Sequence, residues 1–165
     1  MSLQGKIYTK YVMALNKIVR AALKPNVEYD NINDIDLTEI KRLKSEYGIG
    51  GMILDVDGTI LHELEYIPTR VLKTLKLLNQ EFKIYLVSNN KNERIAEFAK
   101  KLGIGYMPFA FKPRRKPFIK ASFEMGLEPE NVMVVGDGFL TDILGGQRMG
   151  MVTGAVKDVD TTPER

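Results

Sequence analysis

The chain has 165 residues, 44% of them hydrophobic, which suffices for one domain of ordinary size with a buried core. It has no cysteine, which excludes a disulfide scaffold and any thiolate metal site. It also has neither a long apolar run nor a secretory signal peptide, so we expect a cytoplasmic protein. The net charge is only +3, but residues 1–24 have no acidic residue, and a second cationic cluster consists of Lys112, Arg114, Arg115 and Lys116. Such clustering favours anionic partners.

The first 50 residues are predicted to be helical. Residues 5–24 form a basic amphipathic pattern with the apolar stripe Tyr8, Tyr11, Val12, Leu15, Ile18, Val19 and Ala22. This stripe could pack on the domain, on a second copy of the protein, or on an anionic membrane. Pro25 ends the helix, a polar connection runs to Asp36, and a second helix from Leu37 to Tyr47 ends at Gly48. We expect residues 1–50 to be an extension and residues 51–165 the main domain.

A short apolar strand then ends in two carboxylates. The run from Met52 to Leu54 is too short for a helix and suits a buried strand bounded by glycine. Since alternate residues of a strand share a side, Asp55 and Asp57 can face one cavity, and Gly58 lets the chain turn. Adjacent carboxylates repel each other, so the pair favours a cation, proton transfer or a nucleophile. The alternative is a simple acidic turn.

Strands and helices alternate through the rest of the chain. A loop from Ile60 to Ile67, which includes His62, is expected to overhang the strand end. Helices are predicted from Pro68 to Leu78, from Lys91 to Leu102 with a capping box from Asn90 to Glu93, and from Pro113 or Pro117 to Met125. A last helix through Ile143 reaches Gly145 and Gly146, where it could either pack closely or end early. Strands are predicted at Phe82 to Val87, Ile104 to Met107, Val132 to Val135 and Met151 to Val156. This alternation predicts an α/β fold, a Rossmann-like doubly wound parallel sheet with helices on both faces.

Polar side chains follow several of these strands, at the edge where such sheets bind ligands. Asp55 and Asp57 end one strand, Ser88 ends another and Asp137 a third, and Lys112 precedes the helix between two of them. Carboxylates could share Mg²⁺, the helix after Ser88 offers N–H groups to a phosphate, and a lysine would balance the negative charge. The set indicates phosphoryl transfer, in which one carboxylate attacks phosphorus and the other transfers the proton.

These residues resemble the motifs of the haloacid dehalogenase-like (HAD) phosphatases. Asp55-Val56-Asp57-Gly58-Thr59 resembles the first motif, Ser88 the second, a lysine of the basic segment the third, and Gly136-Asp137 through Asp142 the fourth. The stretches 87–90 and 141–146 are similar to the subfamily IIIA, YqeG-like branch, which is related to phosphatidylglycerophosphate phosphatases. The resemblance implies that Asp55 is the nucleophile and Asp57 the acid/base.

The resemblance also implies the remaining roles. Mg²⁺ would be held by Asp55, Asp137 and the backbone carbonyl of Asp57, with Asp142 supporting the water shell of the metal or the lysine. Ser88 and Asn89 would hold the transferring phosphoryl group. Both Lys112 and Lys116 precede a proline and the same helix; the branch pattern favours Lys112, with Lys116 and Arg115 as further phosphate-binding cations.

The short intervals from Asp57 to Ser88 and from Ser88 to Lys112 leave no room for an inserted cap domain, so we expect an open site. An open site beside a basic helix suits a lipid phosphate substrate and peripheral contact with an anionic membrane. It suits equally a soluble sugar or nucleotide phosphate and a helix that forms a homo-oligomer. A phosphotransferase and a non-catalytic phospho-ligand-binding domain are the alternatives. We do not expect nucleic acid as a partner.

Overall fold

The structure, a computed structural model, describes residues 3–62 and 66–162. Its helices are α1 (Leu3–Ala22), α2 (Leu37–Tyr47), α3 (Thr69–Glu81), α4 (Glu93–Leu102), α5 (Arg115–Met125) and α6 (Leu144–Arg148). Its strands are β1 (Val27–Tyr29), β2 (Gly51–Leu54), β3 (Lys83–Val87), β4 (Gly105–Met107), β5 (Val132–Gly136) and β6 (Val152–Val156). They form one parallel sheet in the order β1-β6-β5-β2-β3-β4. The predicted α/β class is thereby confirmed.

Both faces of the sheet are covered, as β2 illustrates. This inner strand pairs with β3 and β5, so that Leu54 lies opposite Leu86 and Val135. Met52 and Leu54 join a core to which α2, α3 and α4 contribute, whereas Ile53 joins a second core that includes Phe118 of α5. Successive side chains of a strand point to opposite faces, so a run that is apolar at every position must be buried on both.

The predicted C-terminal ends of three helices are confirmed. Helices α2, α4 and α5 end at Gly48, Gly103 and Gly126, each in the left-handed conformation that closes a helix. Pro117 lies in the first turn of α5, where its missing N–H group costs no helical hydrogen bond. In this chain, glycine and proline residues therefore correctly indicated where these helices end or begin.

The polar connection predicted between Pro25 and Asp36 was wrong in part, because it contains the edge strand β1. Val27 and Tyr29 pair with Gly154 and Val156 of β6, and Tyr29 is buried. Three residues flanked by polar side chains give no recognisable period, so only the pairing with β6 makes them a strand. Helix α2 also contributes to the core. Residues 27–50 thus belong to the sheet and its core, in contrast to the boundary predicted after residue 50.

Helix α1 lies largely outside the core. Most described side chains of its apolar stripe are exposed, including Tyr11 at 72% and Ile18 at 66%, while Val19 is half-buried. The clearest contact of α1 with the domain is Arg20, which lies 4.8 Å from the ring centroid of Phe139. The alternative that the stripe packs on its own domain was therefore wrong for Tyr11, Leu15 and Ile18. No described helix combines the length and the hydropathy that crossing a bilayer requires.

Two local predictions near the sheet edge were wrong. Helix α4 is capped by Asn92, whose side chain accepts hydrogen bonds from the N–H groups of Arg94 and Ile95, and not by Asn90. Ile60 and Leu61, predicted to belong to an overhanging loop, are fully buried. Residues 63–65 of that loop lie outside the described residues.

The segment after β5 begins with a π-helical turn (Phe139–Ile143) that continues into α6. The turn brings Asp142 inward, where it is 1% exposed. A Cβ atom on Gly145 would lie 2.3 Å from the Phe118 ring, so only glycine allows α6 to approach α5 this closely. The close packing predicted at the paired glycines is confirmed.

Candidate active site

The candidate site lies at the carboxyl edge of the sheet. Asp55 follows β2, Ser88 follows β3 and Asp137 follows β5, and these three strands are adjacent and parallel. Parallel pairing in register brings the three strand ends to one place, since Leu54 is aligned with Leu86 and with Val135. The alignment of the parallel strands therefore explains why these polar residues lie close together, as the sequence predicted.

A buried cluster of charges forms the centre of the site. The Nζ atom of Lys112 lies 2.7 Å from Oδ1 of Asp55 and 2.6 Å from Oδ1 of Asp142, and it also donates to the Val87 carbonyl at 2.8 Å. Asp55, Lys112 and Asp142 are all at least 92% buried. Burial by itself would lower the pKa of Lys112, but Asp142 and Asp55 outweigh it and hold that pKa above its usual value. Lys112 is therefore a permanent cation between two carboxylates.

The Thr59 hydroxyl completes the surroundings of Asp55. This side chain is fully buried and its Oγ1 donates to Oδ2 of Asp55 at 3.3 Å. Both carboxylate oxygens of Asp55 thus have a donor within the site, one charged and one neutral. Such contacts hold the carboxylate in one orientation towards the sheet edge.

Three carboxylates converge closely enough to bind one metal ion. One oxygen each from Asp55, Asp137 and Asp142 lies within 4.8 Å of the others. Burial, and then the hydrogen bond and negative charge of Asp55, raise the pKa of Asp137 to about 8. Burial, and then the negative charge of Asp55, raise the pKa of Asp142 to about 7. A divalent cation would relieve this repulsion, and carboxylate oxygens are the donors that Mg²⁺ prefers. The residues present therefore fit Mg²⁺.

Gly58 makes room for one of these carboxylates. Its φ angle is +80°, and a Cβ atom at this position would lie 2.2 Å from Oδ2 of Asp137. A side chain would be strained in this backbone conformation and would also displace Asp137. The glycine of the Asp-x-Asp-Gly sequence thus leaves room for the Asp137 carboxylate and also permits the turn.

Asp57 occupies a more open part of the site. Its Oδ2 atom accepts a hydrogen bond from Nδ2 of Asn90 at 3.0 Å, and Asn90 is exposed. The sequence pattern assigned Asn90 to a helix cap and missed this contact. Its position two residues after Ser88, at the end of a strand beside β2, was the signal that could have indicated it.

Ser88 and Asn89 differ in what they contact. Ser88 is buried, and its Oγ accepts a hydrogen bond from the backbone N–H of Asn90 at 3.1 Å. Asn89 holds the backbone of Lys112: its Oδ1 accepts from the Lys112 N–H at 2.7 Å, and its Nδ2 donates to the Lys112 carbonyl at 3.3 Å. Asn89 therefore positions the lysine segment in this structure.

The expected helix N-terminus directly after Ser88 is absent from the described residues. Helix α4 begins at Glu93, and the Asn92 side chain already accepts hydrogen bonds from its first N–H groups.

Arg115 and Lys116 are exposed on α5, and the structure places neither in the buried cluster. The Nε2 atom of His62 lies 3.4 Å from Oδ1 of Asp158.

The fold and this edge define a Rossmann-like α/β protein whose site combines carboxylates with a buried lysine. Residues 61–150 match the haloacid dehalogenase-like hydrolase family, and the chain belongs to that family. The matched range contains Ser88, Lys112, Asp137 and Asp142 and begins just after Asp55 and Asp57. The family membership inferred from the motifs is confirmed.

One relative supports the branch as well. The chain is 34% identical over 110 residues to the probable phosphatase YqeG of Bacillus subtilis. The match covers 66% of this chain and 64% of that relative, so this chain spans less than two thirds of the relative's length.

Solved structures show the same fold at low sequence identity. NagD of Escherichia coli K-12 is 14% identical with a TM-score of 0.54, and the match covers 71% of this chain and 94% of that one. A putative HAD family hydrolase from Streptomyces avermitilis is 21% identical with a TM-score of 0.51, covering 67% of this chain and 73% of that one. At these identities the likeness concerns the fold alone.

Proposed function

We propose that the protein is a Mg²⁺-dependent phosphatase that hydrolyses a phosphate monoester through an aspartyl-phosphate intermediate. The observation that carries this proposal is the position of Lys112 Nζ, 2.7 Å from Asp55 and 2.6 Å from Asp142. A buried cation beside a carboxylate at a strand end provides positive charge where a phosphoryl group would approach. Family membership and the probable phosphatase from Bacillus subtilis support the same activity.

Asp55 is the proposed nucleophile. Its carboxylate oxygen would attack phosphorus, form the acyl-phosphate bond and release the substrate oxygen as an alcohol. Asp57 would donate the proton that the leaving oxygen needs, and would then take a proton from the water that hydrolyses the intermediate. The open position of Asp57, with its hydrogen bond from Asn90, suits a group that exchanges protons with solvent.

Ser88 and Lys112 are the proposed contacts of the transferring phosphoryl group. Asn89 acts by holding the Lys112 backbone, while Arg115 and Lys116 stay predictions as further phosphate-binding cations. Mg²⁺ would be held by Asp55, Asp137 and the Asp57 carbonyl, with Asp142 nearby. When bound, the metal would neutralise charge on the phosphate and on the carboxylates.

The proposed substrate is a lipid phosphate of the phosphatidylglycerophosphate type. In the described residues, the intervals that could carry a cap hold only α3, α4 and short strands, so the site lies open. The exposed apolar stripe and acid-free sequence of α1 support peripheral contact with an anionic membrane. They are also consistent with a homo-oligomer and with a soluble sugar or nucleotide phosphate. The cytoplasmic location stays a prediction.

Hydrolysis of p-nitrophenyl phosphate by the full chain tests the activity. We expect phosphate release with Mg²⁺, none with excess EDTA, and a loss of at least about 1,000-fold in Asp55→Asn, because the amide cannot attack phosphorus. Glu130→Gln, an exposed acid just before β5 at the opposite sheet edge, is the matched control and should keep full activity. Asp55→Asn with wild-type turnover would remove Asp55 as the nucleophile.

Substrate choice needs a second measurement. Phosphatidylglycerophosphate in mixed micelles is compared with a sugar phosphate and a nucleotide by kcat/KM, and the lipid phosphate should be preferred. Transfer to an added alcohol instead of water would indicate a phosphotransferase. Binding of phosphate esters with Mg²⁺ but no turnover over hours would favour the non-catalytic alternative.

A further inference from the structure

A group of large apolar and basic side chains is exposed beside the active site. Phe109 and Phe111 are 56% and 63% exposed on the segment that leads into α5, and Phe123 of α5 is 83% exposed. Together with neighbouring residues they make the aromatic-basic surface, which consists of Phe109, Phe111, Lys116, Ile119, Lys120 and Phe123. The proposed chemistry uses none of these exposed apolar side chains.

The two loop phenylalanines are held outward by the same contacts that bury Lys112. Their φ angles are +49° and +57°, a left-handed conformation that bulky residues rarely adopt. The N–H of Ala110, the residue between the two phenylalanines, donates to the Ser88 carbonyl at 2.9 Å. The N–H of Lys112, the residue after Phe111, donates to the side chain of Asn89. Ala110 and Lys112 are buried, so the alternate residues, the two phenylalanines, face solvent.

Helix α5 contributes the second half of the surface independently. Positions 116, 119, 120 and 123 fall on one face of a helix, and all four residues are exposed. A cleft of about 300 Å³ is lined by Phe109, Phe111, Lys116 and Lys120, so the loop and the helix face one surface. The exposed face of α5 and the side chains of Phe109 and Phe111 therefore form one continuous surface.

The charge of this region is mainly positive. Residues 98–123 contain seven Lys or Arg, of which Lys112 is buried, and no acidic residue; the next residue, Glu124, lies 3.8 Å from Lys120, so the surface is mainly but not wholly cationic. Arg114 lies 5.5 Å from the ring centroid of Phe111, and within the described chain neither Arg115 nor Lys116 forms an ion pair. Protein interfaces are depleted in lysine, whereas exposed aromatic rings flanked by lysine suit the boundary between anionic headgroups and acyl chains.

We propose that the aromatic-basic surface binds an anionic phospholipid bilayer. The phenylalanines and Ile119 insert at the headgroup boundary, and the cations contact anionic headgroups. The Phe109 and Phe111 end of this surface adjoins Lys112 and Ser88, so docking through that end would bring the open carboxyl edge of the sheet to the membrane surface. That last consequence, direct access to phosphate on a lipid, rests on the proposed function; the binding itself does not.

Co-sedimentation of the full chain with vesicles tests the surface. We expect binding to phosphatidylglycerol–phosphatidylcholine vesicles, little binding to pure phosphatidylcholine, and a marked loss of binding at about 1 M salt. Phe109→Asn/Phe111→Asn removes both rings while asparagine tolerates the left-handed backbone, and should lower the partition coefficient at least about ten-fold. Phe123→Gln should lower it about three-fold or more. Leu37→Gln, which changes an exposed apolar residue of α2, is the matched control and should bind like the wild type.

Several results would overturn the proposal. They are equal binding to both kinds of vesicle, wild-type binding by the phenylalanine variants, and a dimer in light scattering that Phe123→Gln converts to monomer. Hydrolysis of p-nitrophenyl phosphate, measured on the same preparations, separates the two proposals. Vesicle binding that the phenylalanine variants lose, without hydrolysis, keeps the surface and removes the phosphatase, whereas hydrolysis without vesicle binding does the reverse.

Discussion

The two aspartates of the Asp-x-Asp-Gly sequence lie two positions apart but have different surroundings. Asp55 belongs to the buried side of the site, where Lys112 contacts both it and Asp142. Asp57 belongs to the open side, where its side chain accepts a hydrogen bond from the exposed Asn90. The comparison indicates that charge is held rigidly where phosphorus would be attacked, whereas the group proposed to transfer protons keeps access to water.

The largest effect is expected on the buried side, from Lys112→Met. The substitution leaves Asp55 and Asp142 buried without their common cation, which should lower the free energy of unfolding by about 3–5 kcal/mol. Phosphatase activity should fall at least about 100-fold, because the charge beside the phosphoryl group is lost. Urea denaturation followed by circular dichroism measures the first effect, and p-nitrophenyl phosphate hydrolysis the second.

Lys116→Met is the control for this variant. It changes an exposed lysine four positions away, so the free energy of unfolding should change by less than about 0.5 kcal/mol. Its loss of activity should be smaller than that of Lys112→Met. If the two variants lost equal stability, the buried cluster would not be the stabilising element that the contacts indicate.

A change on the open side should separate activity from stability. Asp57→Asn removes the proposed acid/base, and kcat should fall by about 100-fold to 10,000-fold. Because Asp57 is hydrogen-bonded to a neutral amide near solvent and not to a buried charge, the free energy of unfolding should change by less than about 0.5 kcal/mol. Kinetics and urea denaturation on one preparation give both values. A destabilisation as large as that of Lys112→Met would show that the two sides do not differ as described.

The smallest effect is expected from Asn90→Ala, which removes the hydrogen bond to Asp57. A solvent-exposed hydrogen bond of this kind contributes about 1 kcal/mol, which corresponds to about a five-fold fall in kcat. KM should change little, since Asn90 is proposed to position Asp57 and not the substrate. In an Asp57→Asn background the same substitution should have no further effect. An equal loss in both backgrounds would mean that Asn90 acts by another route.

Much of the site was predictable because it is made of strand ends. Asp55, Ser88 and Asp137 each follow a short apolar run bounded by polar residues or glycine, and parallel strands bring such ends together. Asn90 and Asn92 were not distinguishable in this way. Both precede a helical pattern and both have side chains that can cap a helix, so the local sequence permits either assignment. Only the neighbouring strand, which presents Asp57 to Asn90, assigns the two roles.

The edge strand β1 was missed for a related reason. Three residues with one buried side chain give no usable period, and Val27–Tyr29 becomes a strand only because β6 offers its edge. The amphipathic pattern of α1, in contrast, predicted a helix correctly but not its partner. Periodicity reports which face is apolar and says nothing about what covers it.

By itself, the amino-acid sequence determined the order of strands and helices apart from β1, the glycines that end three helices, and the carboxylates that end two of the strands. These features depend on local periodicity and backbone preference, which a short window of sequence contains. Tertiary structure alone decided that Lys112, and not Lys116, lies between two aspartates, one of them 57 positions earlier in the chain. The contact depends on Asn89 holding the lysine backbone and on a π-helical turn that directs Asp142 inward. Such contacts join distant segments, so their geometry exists only once the sheet has formed.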